Sequence, residues 1–212
     1  KWSHMSLAEP IPNPLLFQGI PALLGLKKQD VLKVAVGEAG FKDGKLTDDP
    51  KQGGGQVLYD ALAQLDIPKE LTKAKKALEN AKTAEVGPLR QKVKYLQALH
   101  EEKLPATVYM LKTLPVMPPT FRPVMATDDN SPFRSSVNGL YKYVGLTNHE
   151  LKTLNPLMPH ENKVKLRRAL VGQTWKLFGA ELRPYKDDRS IIPKEDEDVL
   201  GILENIAGTN PK

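Results

Sequence analysis

Cysteine is absent from the 212 residues. Its absence excludes disulfides, thiolate metal sites and cysteine nucleophiles, and it agrees with a reducing compartment. No stretch approaches the roughly 18 consecutive apolar residues that a membrane-spanning helix needs. The first residues do not combine a basic start with an apolar stretch, so we expect no signal peptide. These absences together predict a protein of the cytoplasm.

Recognisable catalytic motifs are also missing. A run of three glycines at residues 53–55 can cradle phosphate, but no Gly-Lys-Ser/Thr follows it, so a flexible connector is the favoured interpretation. The adjacent carboxylates of Asp128 and Asp129 lack a third ligand at useful spacing, which favours a solvated loop over a metal site. Four histidines are scattered without ligand spacing: His4, His100, His149 and His160. We therefore predict no catalytic residue and no metal site here.

The composition is that of a soluble globular protein, with 40% hydrophobic and 26% charged residues. Fifteen glycines and eighteen prolines predict many turns. A net charge of +6 favours acidic partners, nucleic acid above all, although many basic proteins bind none. The chain opens on Lys1, which indicates a fragment of a larger polypeptide, while residues 3–5 can also be interpreted as a cloning scar.

The first half of the chain is predicted to be mostly helical. Residues 28–36 suggest a helix that turns into a strand, and residues 43–55 a polar loop. Apolar residues at helical spacing between 56 and 102 predict a helical hairpin interrupted at Gly87-Pro88, with its lysines on solvated faces.

A strand-like run at 106–111 leads into a segment with four prolines in nine residues. Such a segment cannot form a helix or a central strand, so we expect a rigid, extended path that displays Phe121 and Arg122. Residues 125–136 have the composition of a polar loop.

Two further helices are predicted, one from Val137 and one from about Glu161 to Phe178. A short proline-containing turn joins them, which makes an antiparallel hairpin or short coiled coil. A basic cluster lies near its tip and is either a solvated surface or a docking point for a partner or a phosphate backbone: Lys163, Lys165, Arg167 and Arg168. An exposed loop and a C-terminal helix that starts at the acidic run 195–198 follow.

Residues 114–123, Leu-Pro-Val-Met-Pro-Pro-Thr-Phe-Arg-Pro, resemble the Leu-Pro-Val-x-Pro-Pro-x-x-Arg-Pro signature of the largest (β′-type) subunit of multisubunit DNA-directed RNA polymerases. Residues 4–10 resemble the Gly-His-Ile-Glu-Leu-Ala-x-Pro stretch of the same family. Residues 138–144 resemble the Leu-Asn-x-Leu-Tyr-x-x-Val start of its clamp helices. The resemblance spans nearly the whole chain in the family's order.

The resemblance implies a mainly α fold with a few short strands (α+β) and a projecting antiparallel helical hairpin. It divides the chain into a clamp base (1–55), a helical hairpin region (56–104), a Pro-rich connector and lid loop (105–136), the clamp coiled coil (137–180) and a rudder-like loop and helix (181–212).

The implied function is to hold template DNA and the RNA–DNA hybrid during transcription and to dock a sigma, NusG-type or atypical specificity factor. The implied partners also include a β-type subunit and the rest of β′, without a membrane. The nucleic-acid-binding residues would be Arg122, Asn130, Phe133, Arg134, Arg183, Lys186 and Arg189. The factor-binding residues would be Tyr143, Thr147, Asn148, Lys152, Asn162, Lys163, Lys165 and Arg168.

Two motifs of the family are not in this sequence: the zinc-binding cysteines and the Asn-Ala-Asp-Phe-Asp-Gly-Asp loop that holds catalytic magnesium. The resemblance therefore implies part of a nucleotidyltransferase that uses Mg²⁺ and often Zn²⁺, with no cofactor and no catalytic residue in this segment.

Some positions depart from the bacterial pattern. Residues 129–133 occupy the place where bacterial enzymes usually have a Gly-Gly-Arg-Phe pattern. Thr147 is found where an arginine that contacts sigma is expected, and Lys163 where an acidic residue is common. These departures suggest a divergent polymerase, for example one of a large phage acting in the host cytoplasm or the virion. The alternative is a free-standing interaction module that binds a sigma-like factor without polymerase activity, and an unrelated enzyme is a distant third.

Overall fold

The computed structural model describes residues 2–122, 124–126, 132–134, 137–185, 188, 191–193 and 199–202, with the backbone alone at 124–126 and 132–134. Within these ranges the protein is mainly helical with a few short strands, which confirms the predicted class. The helices are α1 (Gly19–Leu24), α2 (Lys28–Val36), α3 (Gly55–Ala63), α4 (Ile67–Glu79), α5 (Thr83–Glu101), α6 (Val137–Lys152) and α7 (His160–Leu177).

The strands are β1 (Ser3–Pro12), β2 (Gly40–Lys42), β3 (Lys45–Thr47), β4 (Met110–Val116), β5 (Val124–Ala126) and β6 (Pro132–Arg134). Over the described ranges they pair as β1 with β4, β2 with β3, and β5 with β6. The last two pairs are antiparallel hairpins. The β5–β6 hairpin lies within the segment that the sequence predicted to be a polar loop.

The chain divides into two compact units, which we call the helical unit (Glu9–Leu111) and the hairpin unit (Lys1–Ala8 with Lys112–Lys212). Helices α1 to α5 form the helical unit around buried Ile20, Leu58, Leu62 and Leu96. There α4 packs against α5, and the Lys92 ammonium lies 2.9 Å from the Glu70 carboxylate. The hydrogen bond from Lys92 lowers the pKa of Glu70 below its ordinary value.

Three predicted boundaries in the helical unit are wrong. The predicted strand at 106–111 begins only at Met110, and Ala106–Tyr109 form a 3-10 helix instead. Residues 28–36 are helical throughout and end at Gly37, whose φ of 84° stops the helix in the left-handed conformation. Helix α5 continues through Gly87-Pro88. Pro88 lies close to the helix start and removes a single backbone hydrogen bond, and Gly87 has no Cβ to collide with the proline ring.

The predicted polar loop at 43–55 also contains regular structure. Asp43 and Gly44 have φ values of 50° and 78°. Positive φ at both residues of a two-residue loop is typical of the type I′ turn, which here joins β2 to β3. The three glycines at 53–55 are buried, which argues against a flexible connector. Any side chain at Gly55 would overlap the backbone oxygen of Pro10, so this position needs close approach of two backbone segments.

In the hairpin unit, α6 packs against α7, and residues 153–159 connect them. The helices bury Leu140, Val144, Leu170 and Leu177. Residues at positions i, i+3, i+4 and i+7 lie on one helix face, so the same apolar spacing that predicted both helices also supplies their shared core.

No helix among the described residues is long and apolar enough to cross a membrane. In the same part of the chain, no group of three or more histidine, aspartate or glutamate side chains is arranged to hold a metal ion.

Candidate nucleic-acid and factor-binding site

The Pro-rich segment and the start of α6 are joined by the side chain of Arg122. Its Nε donates a hydrogen bond to the Met117 carbonyl oxygen at 2.8 Å, and its Nη1 donates one to Asn138 Oδ1 at 2.9 Å. The Asn138 side-chain amide donates in return to the Arg122 carbonyl oxygen at 3.1 Å. The Arg122 guanidinium carbon also lies 5.5 Å from the centre of the Tyr141 ring, within range of a cation–π interaction.

Tyr141 makes a second connection between the same two segments. Its hydroxyl donates to the Pro115 carbonyl oxygen at 3.1 Å and accepts a hydrogen bond from the Met117 backbone N–H at 3.0 Å. Burial raises the pKa of the Tyr141 phenol above its ordinary value, so this side chain stays neutral at physiological pH. Pro115 has no backbone N–H, and its carbonyl oxygen accepts the hydrogen bond from the Tyr141 hydroxyl.

Arg122, Asn138 and Tyr141 therefore link two sequence motifs that were recognised separately. The geometry gives Arg122 an intramolecular role at the base of the β5–β6 hairpin. Its predicted contact with nucleic acid remains a prediction.

Only some of the other predicted nucleic-acid-binding residues lie within the described ranges. Phe133 and Arg134 lie on β6, with backbone pairing to Met125 and Val124 across the hairpin. Arg183 is exposed in a short 3-10 turn at Arg183–Tyr185. The remaining three predicted residues lie outside the described ranges: Asn130, Lys186 and Arg189.

On α6, two predicted factor-binding residues face the interior of the hairpin unit. Thr147 is buried, and Asn148 is only 4% exposed. Asn148 Oδ1 accepts a hydrogen bond from the Ala8 backbone N–H at 2.7 Å, and Nδ2 donates to the Ser6 carbonyl oxygen at 3.0 Å. The side-chain amide of Asn148 thus accepts one hydrogen bond from the β1 backbone and donates one to it, as a neighbouring strand would. Both its oxygen and its nitrogen have a partner.

The two other predicted residues on α6 are more accessible. Lys152 is exposed, and its ammonium donates to the Ser6 carbonyl oxygen. Tyr143 is half-buried.

On α7, the predicted basic cluster divides into two groups. Lys165 and the neighbouring Asn162 are exposed and Lys163 is half-buried, whereas Arg167 is buried. Arg168 Nη1 lies 2.8 Å from the Asp188 carboxylate, and its guanidinium stacks 4.6 Å from the Tyr185 ring centre. Arg168 therefore anchors the segment that follows α7.

The connection between α6 and α7 carries an exposed apolar surface that the sequence analysis passed over. Leu157 is 89% exposed, and Met158 beside it is also exposed. The Leu157 N–H donates to Asn155 Oδ1 at 2.9 Å and the Met158 N–H to the Asn155 carbonyl oxygen at 2.9 Å, which orders this turn. The sequence held a signal for this surface: two apolar residues stand between Pro156 and Pro159, in a turn where polar residues are usual.

We call Leu157, Met158, Asn162 and Lys165 the tip surface. It combines exposed apolar side chains with an amide and a positive charge on the end of a helical hairpin. Exposed apolar residues with polar neighbours are typical of a protein–protein contact.

The chain is similar along most of its length to curated proteins named DNA-directed RNA polymerase subunit beta′, which confirms the resemblance. It is 24% identical over 231 aligned residues to the protein of Methylobacillus flagellatus, covering 91% of this chain and 16% of the relative. For Lactobacillus delbrueckii subsp. bulgaricus the identity is 25% over 181 residues, covering 73% and 15%. For Euglena longa it is 24% over 181 residues, covering 82% and 30%.

The chain thus spans about 15–16% of the length of its bacterial relatives. No family model matches it.

Proposed function

We propose that this chain is the clamp segment of a β′-type subunit of DNA-directed RNA polymerase. It takes part in DNA-templated transcription as a piece of that nucleotidyltransferase and carries no catalytic residue itself. The observation that carries the proposal is the bonding of Arg122, from one family signature, to Asn138 and Tyr141, from the next. The similarity to beta′ subunits over 73–91% of this chain supports it.

The proposed nucleic-acid role rests on the β5–β6 hairpin, which lies in the segment that the resemblance assigns to the family's lid. Strand β5 begins shortly after Arg122 and β6 ends shortly before Asn138, so the hydrogen bond between these two side chains links the two ends of the hairpin segment. A net charge of +6 favours contact with the phosphates of template DNA and the RNA–DNA hybrid.

The factor-docking role rests on α6 and α7 as the clamp coiled coil, with the tip surface as the contact. Of the predicted factor-binding residues, Asn162 and Lys165 are exposed on the first turns of α7. Leu157 and Met158 add exposed apolar area whose burial would stabilise such a contact.

Affinity purification of the tagged chain from its native source tests the proposed function. We expect the β-type subunit and the catalytic part of β′ to be recovered with it. Recovery of a sigma-like factor alone would contradict the proposal and favour the free-standing module. Recovery of neither would leave the chain without a polymerase role.

Replacing Leu157 with Asp and Lys165 with Glu together is expected to weaken binding of the recovered specificity or elongation factor roughly tenfold or more. The double change removes the most exposed apolar side chain of the tip and reverses its charge. Isothermal titration of the purified factor against the chain measures the effect.

Lys142→Glu is the matched control, because Lys142 is also exposed but lies near the start of α6, away from the tip. Arg168 is left unchanged, since its replacement would break the ion pair with Asp188. Equal loss of affinity in the control and the double variant would rule out the tip as the contact.

A further inference from the structure

The helical unit contains a depression of about 470 Å³ between α1, α3 and the β2–β3 hairpin. Its volume lies within the range of ligand-binding clefts, roughly 300–1,000 Å³. None of the residues assigned above to nucleic acid or to factor binding lines it. The depression therefore needs a separate explanation.

Part of the lining of this groove is apolar. Leu23 of α1 and Phe41 of β2 are buried at its base, and Val57 of α3 and Leu65 after α3 are half-buried along its wall. Leu46 is paired directly opposite Phe41 on β3 and is 41% exposed, so the apolar surface extends to the edge of the hairpin. Covering such a surface with another apolar side chain gains about 25 cal/mol for each Å² removed from water.

The groove also has an acidic side. Asp43 and Asp60 line it, against a single cationic side chain, Lys42. Asp43 lies in the tight turn with Gly44, where both residues have positive φ, so its backbone conformation is restricted. A hydrogen bond of 2.7 Å from Gln56 Nε2 orients the second, Asp60.

Two carboxylates and one ammonium give this lining a net charge of −1 in a chain whose total is +6. A phosphate backbone is repelled by such a surface, and a cation is attracted. The lining thus has the opposite sign to the net charge of the chain, and it offers an apolar contact directly beside an acidic one.

We propose that this groove docks a partner polypeptide through a short segment in which a large apolar side chain lies within a few residues of Lys or Arg. The apolar side chain packs against the half-buried Val57, Ala61 and Leu65, and the cation pairs with the carboxylates of Asp43 and Asp60. Neighbouring side chains of one polypeptide supply both contacts. This inference goes beyond the polymerase assignment and does not depend on it.

Selection of a phage-displayed random heptapeptide library on the complete 212-residue chain tests the inference. We expect enrichment of peptides that combine Leu, Phe, Ile or Met with a nearby Lys or Arg. A synthetic peptide of the enriched sequence is then titrated against the chain and followed by NMR, with shifts expected at Phe41, Val57 and Ala61.

Ala61→Trp fills the groove and is expected to weaken binding of that peptide at least tenfold. Asp43→Asn with Asp60→Asn is expected to weaken it severalfold and to reduce its dependence on salt, and asparagine tolerates the positive φ at residue 43. Asp48→Asn is the matched control, because it removes the same charge from an exposed position outside the groove and leaves the affinity unchanged.

Several results would overturn the inference: no enriched peptide, enrichment of acidic peptides, or full affinity in the Ala61→Trp variant. Displacement of the peptide by a single-stranded oligonucleotide would overturn it as well. If Ala61→Trp lowers the unfolding temperature, the paired asparagine variant decides, and unchanged affinity and salt dependence there would refute the proposed acidic contact.

Discussion

Replacing Gly55 with alanine is expected to lower the free energy of unfolding of the helical unit by ~3 kcal/mol. The added Cβ would overlap the backbone carbonyl of Pro10, and a backbone carbonyl cannot rotate away as a flexible side chain can. Gly55 is also buried at the start of α3, so relief of the overlap requires a shift of the helix or of the segment at Pro10. Urea unfolding followed by circular dichroism measures the change.

Gly87→Ala is the matched control for this variant. Gly87 lies within α5, and a Cβ there would have no neighbour within 4 Å outside its own helix. Alanine is a better helix former than glycine, but its Cβ would crowd the ring of Pro88, so the two effects oppose each other and we expect a change of less than about 1 kcal/mol. Equal stability of the wild-type protein and the Gly55→Ala variant would show that the two backbone segments do not approach each other as described.

Replacing Asn148 with alanine is expected to lower the free energy of unfolding of the hairpin unit by ~1–3 kcal/mol. The change removes both hydrogen bonds to the β1 backbone and leaves the Ala8 N–H without its acceptor. It also leaves a small void beside a residue that is almost fully buried. Thermal unfolding and hydrogen exchange at the Ala8 amide measure the loss.

Asn162→Ala is the matched control, since it makes the same chemical change at an exposed position on α7. We expect no more than a few tenths of a kcal/mol from it. The pair also separates the factor-binding role predicted for both asparagines from the intramolecular role that the structure gives Asn148. Loss of factor binding without loss of stability in Asn148→Ala would contradict the intramolecular role that the structure gives this residue.

Local sequence patterns predicted much of the secondary structure. Helices α6 and α7 follow from apolar residues at helical spacing; α6 begins at the predicted Val137, and the limits of α7 lie within a residue of those expected. Four prolines in nine residues correctly excluded an α-helix and a central strand, because proline restricts its own backbone whatever surrounds it, although Pro119–Phe121 form a short 3-10 helix. Strand β4, which includes Pro115, accordingly belongs to a sheet of two strands.

One missed element had a local signal. Asp43-Gly44 between short strands is a typical type I′ hairpin sequence, but the surrounding glycines and charges favoured a loop. The buried glycines at 53–55 had no such signal. Their role depends on Pro10 and on residues 37–39, which approach them only in the folded chain.

The functional residues divide in the same way. The family resemblance marked Arg122, Asn148 and Arg168 as binding candidates, and charged and amide side chains are suited to bind partners. In the structure these side chains bind their own chain, at Asn138, Ser6 and Asp188. The exposed Leu157 was not a candidate, since an apolar residue is expected inside until its surroundings are known.

Residue order therefore settled the properties that act over one or two turns of chain: helical periodicity, proline restrictions, net charge and the family signatures. Packing settled which polar groups remain available to a partner. The bonds of Asn148 connect residues 140 and 142 positions apart, and those of Arg122 and Asn138 connect residues 16 apart. A buried polar side chain forms hydrogen bonds with the polar groups that the fold brings next to it. Those groups are distant in sequence, so the local sequence does not identify them.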